Sequence, residues 1–218
     1  MTTAILSAAH REHLADLRGR PAIIDGEGLM LGSQYVMFFA EAGLMRRHAA
    51  RLVAGVSSPD VLEIGLGLGV FAEQLASMGP GTYTAVEPHP GTAQLARERV
   101  LYRYGGQATV IAEPWQLVTF ADESYDAIMY DTWPPDGLED SDFATFVAEV
   151  AVRCLRPGGR FSYFHSGTTL SPTRRDVLKH HFASVTAHPY ELPKGETPVA
   201  WTKPTRQFLI PVATKGLP

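Results

Sequence analysis

Hydrophobic and polar positions divide the chain into two differently patterned parts. Over residues 1 to about 20, Ile5, Leu6, Ala9, Leu14 and Leu17 recur at roughly helical spacing, which predicts a short amphipathic helix. Arg20-Pro21 ends it, because a residue ahead of proline is pushed out of the helical region. The apolar stretch LMLGSQYVMFFAEAGLMRRHAARLVAG then predicts a turn around Gly32 and a helix from about Tyr35 to Val53. From Asp60 the pattern changes to short apolar runs alternating with helical segments. The predicted strands are Val61–Ile64, Tyr83–Glu87, Ala108–Ala112, Ala127–Asp131 and Arg160–His165. The predicted helices between them are Val70–Met78, Gly91–Tyr104 and Phe143–Leu155. This order implies an α/β fold with a mostly parallel sheet and helices on both faces. A helix over Thr173–His181 leads into Val185–Glu191 and Gln207–Val212, joined by a Pro/Gly-rich link without a helix. That pair predicts an antiparallel hairpin at the sheet edge. The expected division is an N-terminal helical extension and lid over residues 1–55 and an α/β domain over 56–218.

Composition narrows the function more than the fold. The 218 residues carry 19 basic and 23 acidic side chains, a formal charge of −4 that argues against a nucleic-acid footprint. No apolar run reaches the roughly 20 residues that span a bilayer, and MTTAILSAAHREH meets charge too early for a secretory signal. A single cysteine excludes an internal disulfide and a cysteine-rich zinc site. These features point to a cytoplasmic protein, monomer or homodimer, acting on a small molecule without nucleic acid or membrane.

The segment Val61-Leu62-Glu63-Ile64-Gly65-Leu66-Gly67-Leu68-Gly69 carries the strongest chemical signal. A strand ending beside an acid runs into a G-x-G-x-G turn that opens a helix, so backbone can approach a ligand closely. A dinucleotide fingerprint needs glycine at position 70, which is Val70, and a phosphate-binding P-loop needs a lysine that is missing. Glu63 also suits a cationic ligand better than a pyrophosphate. Glu87-Pro88 closes the next strand, where an acid can hold ribose hydroxyls. Glu113-Pro114-Trp115 follows the third strand, and Leu155-Arg156-Pro157-Gly158-Gly159 precedes the fifth. Asp131, in Tyr130-Asp131-Thr132-Trp133-Pro134-Pro135, stands at the carboxyl end of the fourth strand, where open α/β sheets bind ligands. Such an acid otherwise caps a turn.

The glycine turn with its two acids resembles motif I of the class I S-adenosylmethionine-dependent methyltransferases, and the LRPGG turn is similar to theirs. YDTWP, the Trp115 segment and the tail FLIPVATKG are similar to guanidinoacetate N-methyltransferase and to methyltransferases of the internal guanidino nitrogen of arginine. The resemblance runs with gaps from about Gly28 to Gly216. It implies a Rossmann-like class I methyltransferase sheet and S-adenosyl-L-methionine as cofactor. Glu63, Gly65, Gly67, Gly69, Glu87, Pro88, Glu113, Trp115 and Met37 would hold that cofactor, with Asp131 beside its methyl group. The implied reaction is methylation of a guanidine or related nitrogen, Asp131 holding the nucleophile and receiving its proton. Trp115 would stack on the purine, and Trp133 and Tyr35 would border the substrate.

Two departures blur the substrate. The guanidinoacetate enzymes bring a second carboxylate from the N-terminal lid, and the best ungapped match places Gln34 there. An amide suits a neutral, amidine-like or heterocyclic nitrogen better than a guanidinium. After the fifth strand stand His165, Ser166 and Gly167, candidates for substrate binding, with Ser166 and Gly167 a possible anion nest. Asp136, Glu139, Asp140 and Asp142 read as a solvated loop and helix start rather than a magnesium site, so no metal is expected. The competing readings are O- or C-methyl transfer, aminopropyl transfer, and a non-catalytic partner subunit keeping the fold.

Overall fold

The computed structural model describes residues 6–217. Helix α1 (Ala8–Gly19) starts at Ser7, whose hydroxyl accepts from the His10 N–H, and stops at the extended Arg20. Ile5 of the expected stripe lies outside the described residues. Strands β1 (Ala22–Ile24), β2 (Gly28–Leu31) and β3 (Gln34–Phe38) then form a small antiparallel sheet, with Gly32 at the β2–β3 turn.

The helix expected from Tyr35 therefore begins only at Ala42, as α2 (Ala42–Leu52), after a 3-10 turn over Phe39–Glu41. Tertiary pairing overrides the helical spacing. Gln34–Phe38 pairs with β2, where a Cβ on Gly28 would sit 2.0 Å from the Met37 carbonyl oxygen. Phe38 is fully buried between the rings of Tyr35 and Trp201, both at 4.9 Å. Aromatic and β-branched residues gain most from such a half-buried pleated surface. The N-terminal extension is thus helix, meander and helix.

The larger domain follows the expected alternation: β4 (Asp60–Ile64), α3 (Val70–Ala76), β5 (Thr82–Val86), α4 (Pro90–Arg99), β6 (Ala108–Ile111), β7 (Tyr125–Tyr130) and α5 (Glu139–Phe146). A π turn over Val147–Ala151 leads to α6 (Val152–Cys154), so the helix expected over Phe143–Leu155 is interrupted. Then come β8 (Leu155–Tyr163), β9 (His165–Ser166), α7 (Pro172–His181), β10 (Ser184–Glu191) and β11 (Gln207–Thr214). The sheet order is β10-β11-β8-β7-β4-β5-β6, with β9 beside β11. Strands β4 to β8 pair in parallel, and β11 is antiparallel to both β8 and β10. The α/β sheet with its antiparallel edge is as the pattern predicts.

Side-chain alternation in the strands feeds two cores. Val61, Tyr83 and Met129 pack with Leu52, Phe71 and Leu75 on one face. Leu62, Ile128 and Tyr130 pack with Phe143, Phe146 and Leu178 on the other. Both faces of the sheet are mainly apolar, with Glu63 and the Ser162–His48 pair as buried polar groups, and the cavity chemistry lies at the strand ends.

The segment before β11 is tied back to the small sheet. The Glu27 carboxylate accepts the N–H groups of Val199 and Ala200, both at 3.0 Å. Replacing Glu27 by Gln removes the charge from these bonds and should cost about 1 kcal/mol locally. Hydrogen exchange should show Val199 and Ala200 opening severalfold faster, while core amides of β4 and β7 keep their wild-type protection.

Candidate active site

A cavity of about 450 Å³ opens at the carboxyl ends of β4, β5 and β7, within the range of small-molecule sites. Its floor depends on two glycines. A Cβ on Gly65 would stand 1.7 Å from the Asp131 carbonyl oxygen, so only glycine lets the ends of β4 and β7 meet. Asp131 N–H also donates to the Ile64 carbonyl at 2.8 Å, which fixes that junction. At Gly67, φ is +52° and a Cβ would fall 2.4 Å from Met37 Cε. Met37 lies over the turn, and its sulfur takes the Leu68 N–H at 3.4 Å. Gly69 stands off the cavity, where it starts α3 against Val100.

Three acids meet behind and around this turn. Glu87 lines the cavity and is buried; its carboxylate accepts from Gly67 N–H and His89 N–H, each at 2.9 Å. Burial outweighs those bonds and pushes its pKa up to about 7. Asp131 keeps one open side toward the cavity and is enclosed elsewhere, and burial raises it to about 7. The Lys203 ammonium pulls it back down, and the Glu41 carboxylate adds to the rise. Glu63 does not border the cavity. It is buried and takes the Tyr83 hydroxyl, and burial with repulsion from Asp131 and Glu87 raises its pKa well above the carboxylate range. Its expected contact with a cationic ligand is replaced by a role under the turn.

The other expected residues divide between wall, rim and exterior. Trp115 is buried in the wall, edge-on to Phe146 at 5.1 Å, and Pro88 stands nearby. Glu113 lies outside the cavity and pairs with Arg18 of α1 at 3.5 Å. Gln34, Tyr35 and Trp133 sit at the rim. Gln34 accepts from Arg20 at 3.4 Å, the Tyr35 hydroxyl donates to Asp25, and Trp133 packs edgewise on His13. His165 is off the wall, bonded to the Thr169 carbonyl at 2.9 Å. Gly167 is off it too, its N–H committed to the Gln207 carbonyl at 2.8 Å, so no anion nest forms with Ser166. Ser166 itself lines the cavity with a buried, unpartnered hydroxyl. Asp142, expected in solvent, turns inward and bonds His10 at 3.0 Å, Gln116 at 3.2 Å and Tyr130 at 3.3 Å.

Sequence reasoning missed the second carboxylate and its partner. Glu41 lines the cavity at 2% exposure, anchored by the Phe38 N–H at 3.0 Å. Lys203 lies 2.5 Å from its Oε1. The N-terminal extension therefore brings a carboxylate into the cavity at Glu41, while Gln34 stands at the rim. One signal could have found it: Glu41 is the sole charged residue between Glu27 and Arg46.

Residues 61–159 match the family model described as a methyltransferase domain. The chain is 29% identical over 145 residues to protein arginine N-methyltransferase 2 of Gibberella zeae, covering 60% of this chain and 32% of that protein. It spans about a third of the length of the curated relatives it matches. Among solved structures, N-methyltransferase NodS from Bradyrhizobium japonicum WM9 with S-adenosyl-L-homocysteine superposes with a TM-score of 0.62 at 15% identity, over 94% of this chain and 97% of that one. An S-adenosylmethionine-dependent O-methyltransferase from Thermotoga maritima gives 0.59 at 18% identity, over 87% and 74%.

Residues 61–159 thus match a methyltransferase domain, set in a fold shared with these S-adenosylmethionine-dependent methyltransferases, and the cofactor is S-adenosyl-L-methionine. The residues present fit that group. Gly65 and Gly67 line the cavity with backbone alone, and Glu87 offers a buried acceptor to a diol donor at the wall. No described helix is long and apolar enough to cross a membrane.

Glu87 gives the site a pH signature. Hydroxyl donors bind the ionised carboxylate better, so ligand binding lowers a pKa that stands near 7 in the free protein. Affinity for S-adenosylhomocysteine, which lacks the sulfonium charge, should rise roughly tenfold between pH 6 and pH 8. Calorimetry on Glu87→Gln should show weaker binding with that slope abolished.

Proposed function

We propose that the protein transfers a methyl group from S-adenosyl-L-methionine to a nitrogen of a small molecule bearing a guanidine, amidine or related group. The observation that carries this reading is the Asp131 carboxyl, poised at about 7 by burial, one residue beyond the β4–β7 junction and facing a chamber shared with Glu41. The fungal relatives are named for arginine methylation, which fits a guanidino-type nitrogen.

Bound S-adenosyl-L-methionine supplies an electrophilic methyl group. The ionised Asp131 accepts hydrogen bonds from the nucleophile's N–H groups and aligns its lone pair. It then takes the nitrogen's proton as the new C–N bond forms and the donor's methyl–sulfur bond breaks, S-adenosylhomocysteine being the leaving group. A free guanidinium has a pKa near ~13, so neutralising it before attack near pH 7 costs about 8 kcal/mol. An acid near 7 cannot meet that cost in advance. The proton must leave during bond formation, or the nitrogen must arrive uncharged. Met37, Phe164 and the rim residues Tyr35 and Trp133 exclude water from the chamber.

Asp131→Asn should leave S-adenosylhomocysteine affinity within about threefold and lower kcat by roughly 10²–10⁴. A radiolabelled donor with a panel of guanidines, amidines and phenols measures both turnover and the preferred atom. Near-normal turnover of this variant, or a preference for phenols, contradicts the reading. In the wild type, kcat/KM should climb with pH and reach half its limit near 7, as Asp131 ionises.

A further inference from the structure

The substrate side of the cavity holds a cation of its own. Lys203 Nζ lies 2.5 Å from Glu41 Oε1 and 4.0 Å from the centroid of the Phe164 ring. Glu41 is buried at 2% exposure and Lys203 half-buried at 20%. A cation between a carboxylate and an aromatic face is held by charge and by the ring quadrupole together.

The backbone that carries Lys203 is fixed independently. Val199 and Ala200 bond Glu27, while Trp201 packs on Phe38 at 4.9 Å and edge-on to Phe208 at 6.3 Å. The Trp201 indole N–H donates to the Thr205 carbonyl at 3.3 Å, closing a small loop around Lys203. Glu41 has its own anchor in the Phe38 N–H. The ammonium is thus a built part of the wall, and Glu41 is committed before substrate enters.

That commitment changes what the chamber accepts. Of the two acids facing it, only Asp131 is free to receive a nucleophile, and the ammonium's charge reaches Asp131 as well. A guanidinium brought to Asp131 meets this like charge, whereas an uncharged nitrogen does not. We propose that Lys203 is a specificity-determining residue: by occupying Glu41 it selects an uncharged nitrogen nucleophile, of the aminopyridine or heterocyclic imine kind, over a guanidinium. This rests on the nitrogen-methylation reading and names the substrate class within it.

The test compares two probes of similar shape at pH 8, with the protein saturated by S-adenosylhomocysteine. 2-Aminopyridine is uncharged there, and methylguanidine is a cation. Calorimetry on the wild type should show 2-aminopyridine binding more tightly. Lys203→Met should raise methylguanidinium affinity roughly tenfold or more and invert the order, while Lys203→Arg keeps the wild-type order. S-adenosylhomocysteine affinity, read on the same samples, confirms that each variant is folded. An unchanged order in Lys203→Met overturns the assignment of Lys203 and leaves nitrogen methylation standing. Failure of both probes to bind any of the three proteins overturns both.

Discussion

The Asp131 carbonyl oxygen rests where any side chain on Gly65 would be, 1.7 Å from the nearest atom such a residue would add. The junction of β4 and β7 beneath the cavity follows from that contact. The contact lets β4 and β7 close side by side to their last residues, so the glycine turn and the Asp131 carboxyl are neighbours at the mouth of the cavity. It also requires positive φ at Gly65, +86°, which turns the chain away from the strand and aims it at Glu87. The Gly67 N–H then completes the loop by donating to Glu87. Two strand ends, one turn and two carboxylates are held as one rigid unit.

That unit stores electrostatic tension. Glu87 and Asp131 both stand near 7, and Glu63 is pushed up further beneath them. Between about pH 4 and pH 7 the folded protein binds more protons at these acids than the unfolded chain does. Their contribution to stability therefore falls as pH rises through that window. Ligands that donate hydrogen bonds or bring positive charge favour the ionised forms that burial disfavours, so cofactor binding and fold stability are linked. Lys203 is a permanent relief of the same kind on the substrate side, matched to Glu41.

Most of the framework was legible in the sequence for local reasons. Apolar runs bounded by glycine and proline, alternating with helical stripes, give the β-α order from Asp60 onward, and the edge hairpin shows as two strands without a helix. The glycine turn was legible because Gly65 and Gly67 are demanded by backbone geometry, and Glu87 closes the next strand of the same β-α-β unit. The lid was not, because Gln34–Phe38 becomes a strand only through pairing with β2 and through burial of Phe38 under Trp201. Glu41 was missed with it, because its place in the cavity depends on the turn that follows this strand. Lys203 was illegible for a different reason, since its partner lies across the fold in a distant segment. Glu63 shows the converse, a residue in the expected motif whose side chain turns to Tyr83 instead of the ligand.

The central claim is that one cavity holds the cofactor on Glu87 and the glycine turn, with Asp131 facing the point of methyl transfer. A crystal structure with S-adenosylhomocysteine tests it most directly. The account predicts both ribose hydroxyls on the Glu87 carboxylate and the sulfur directed to the chamber shared by Asp131, Glu41 and Lys203. A cofactor bound without Glu87, or with its sulfur away from Asp131, would contradict it.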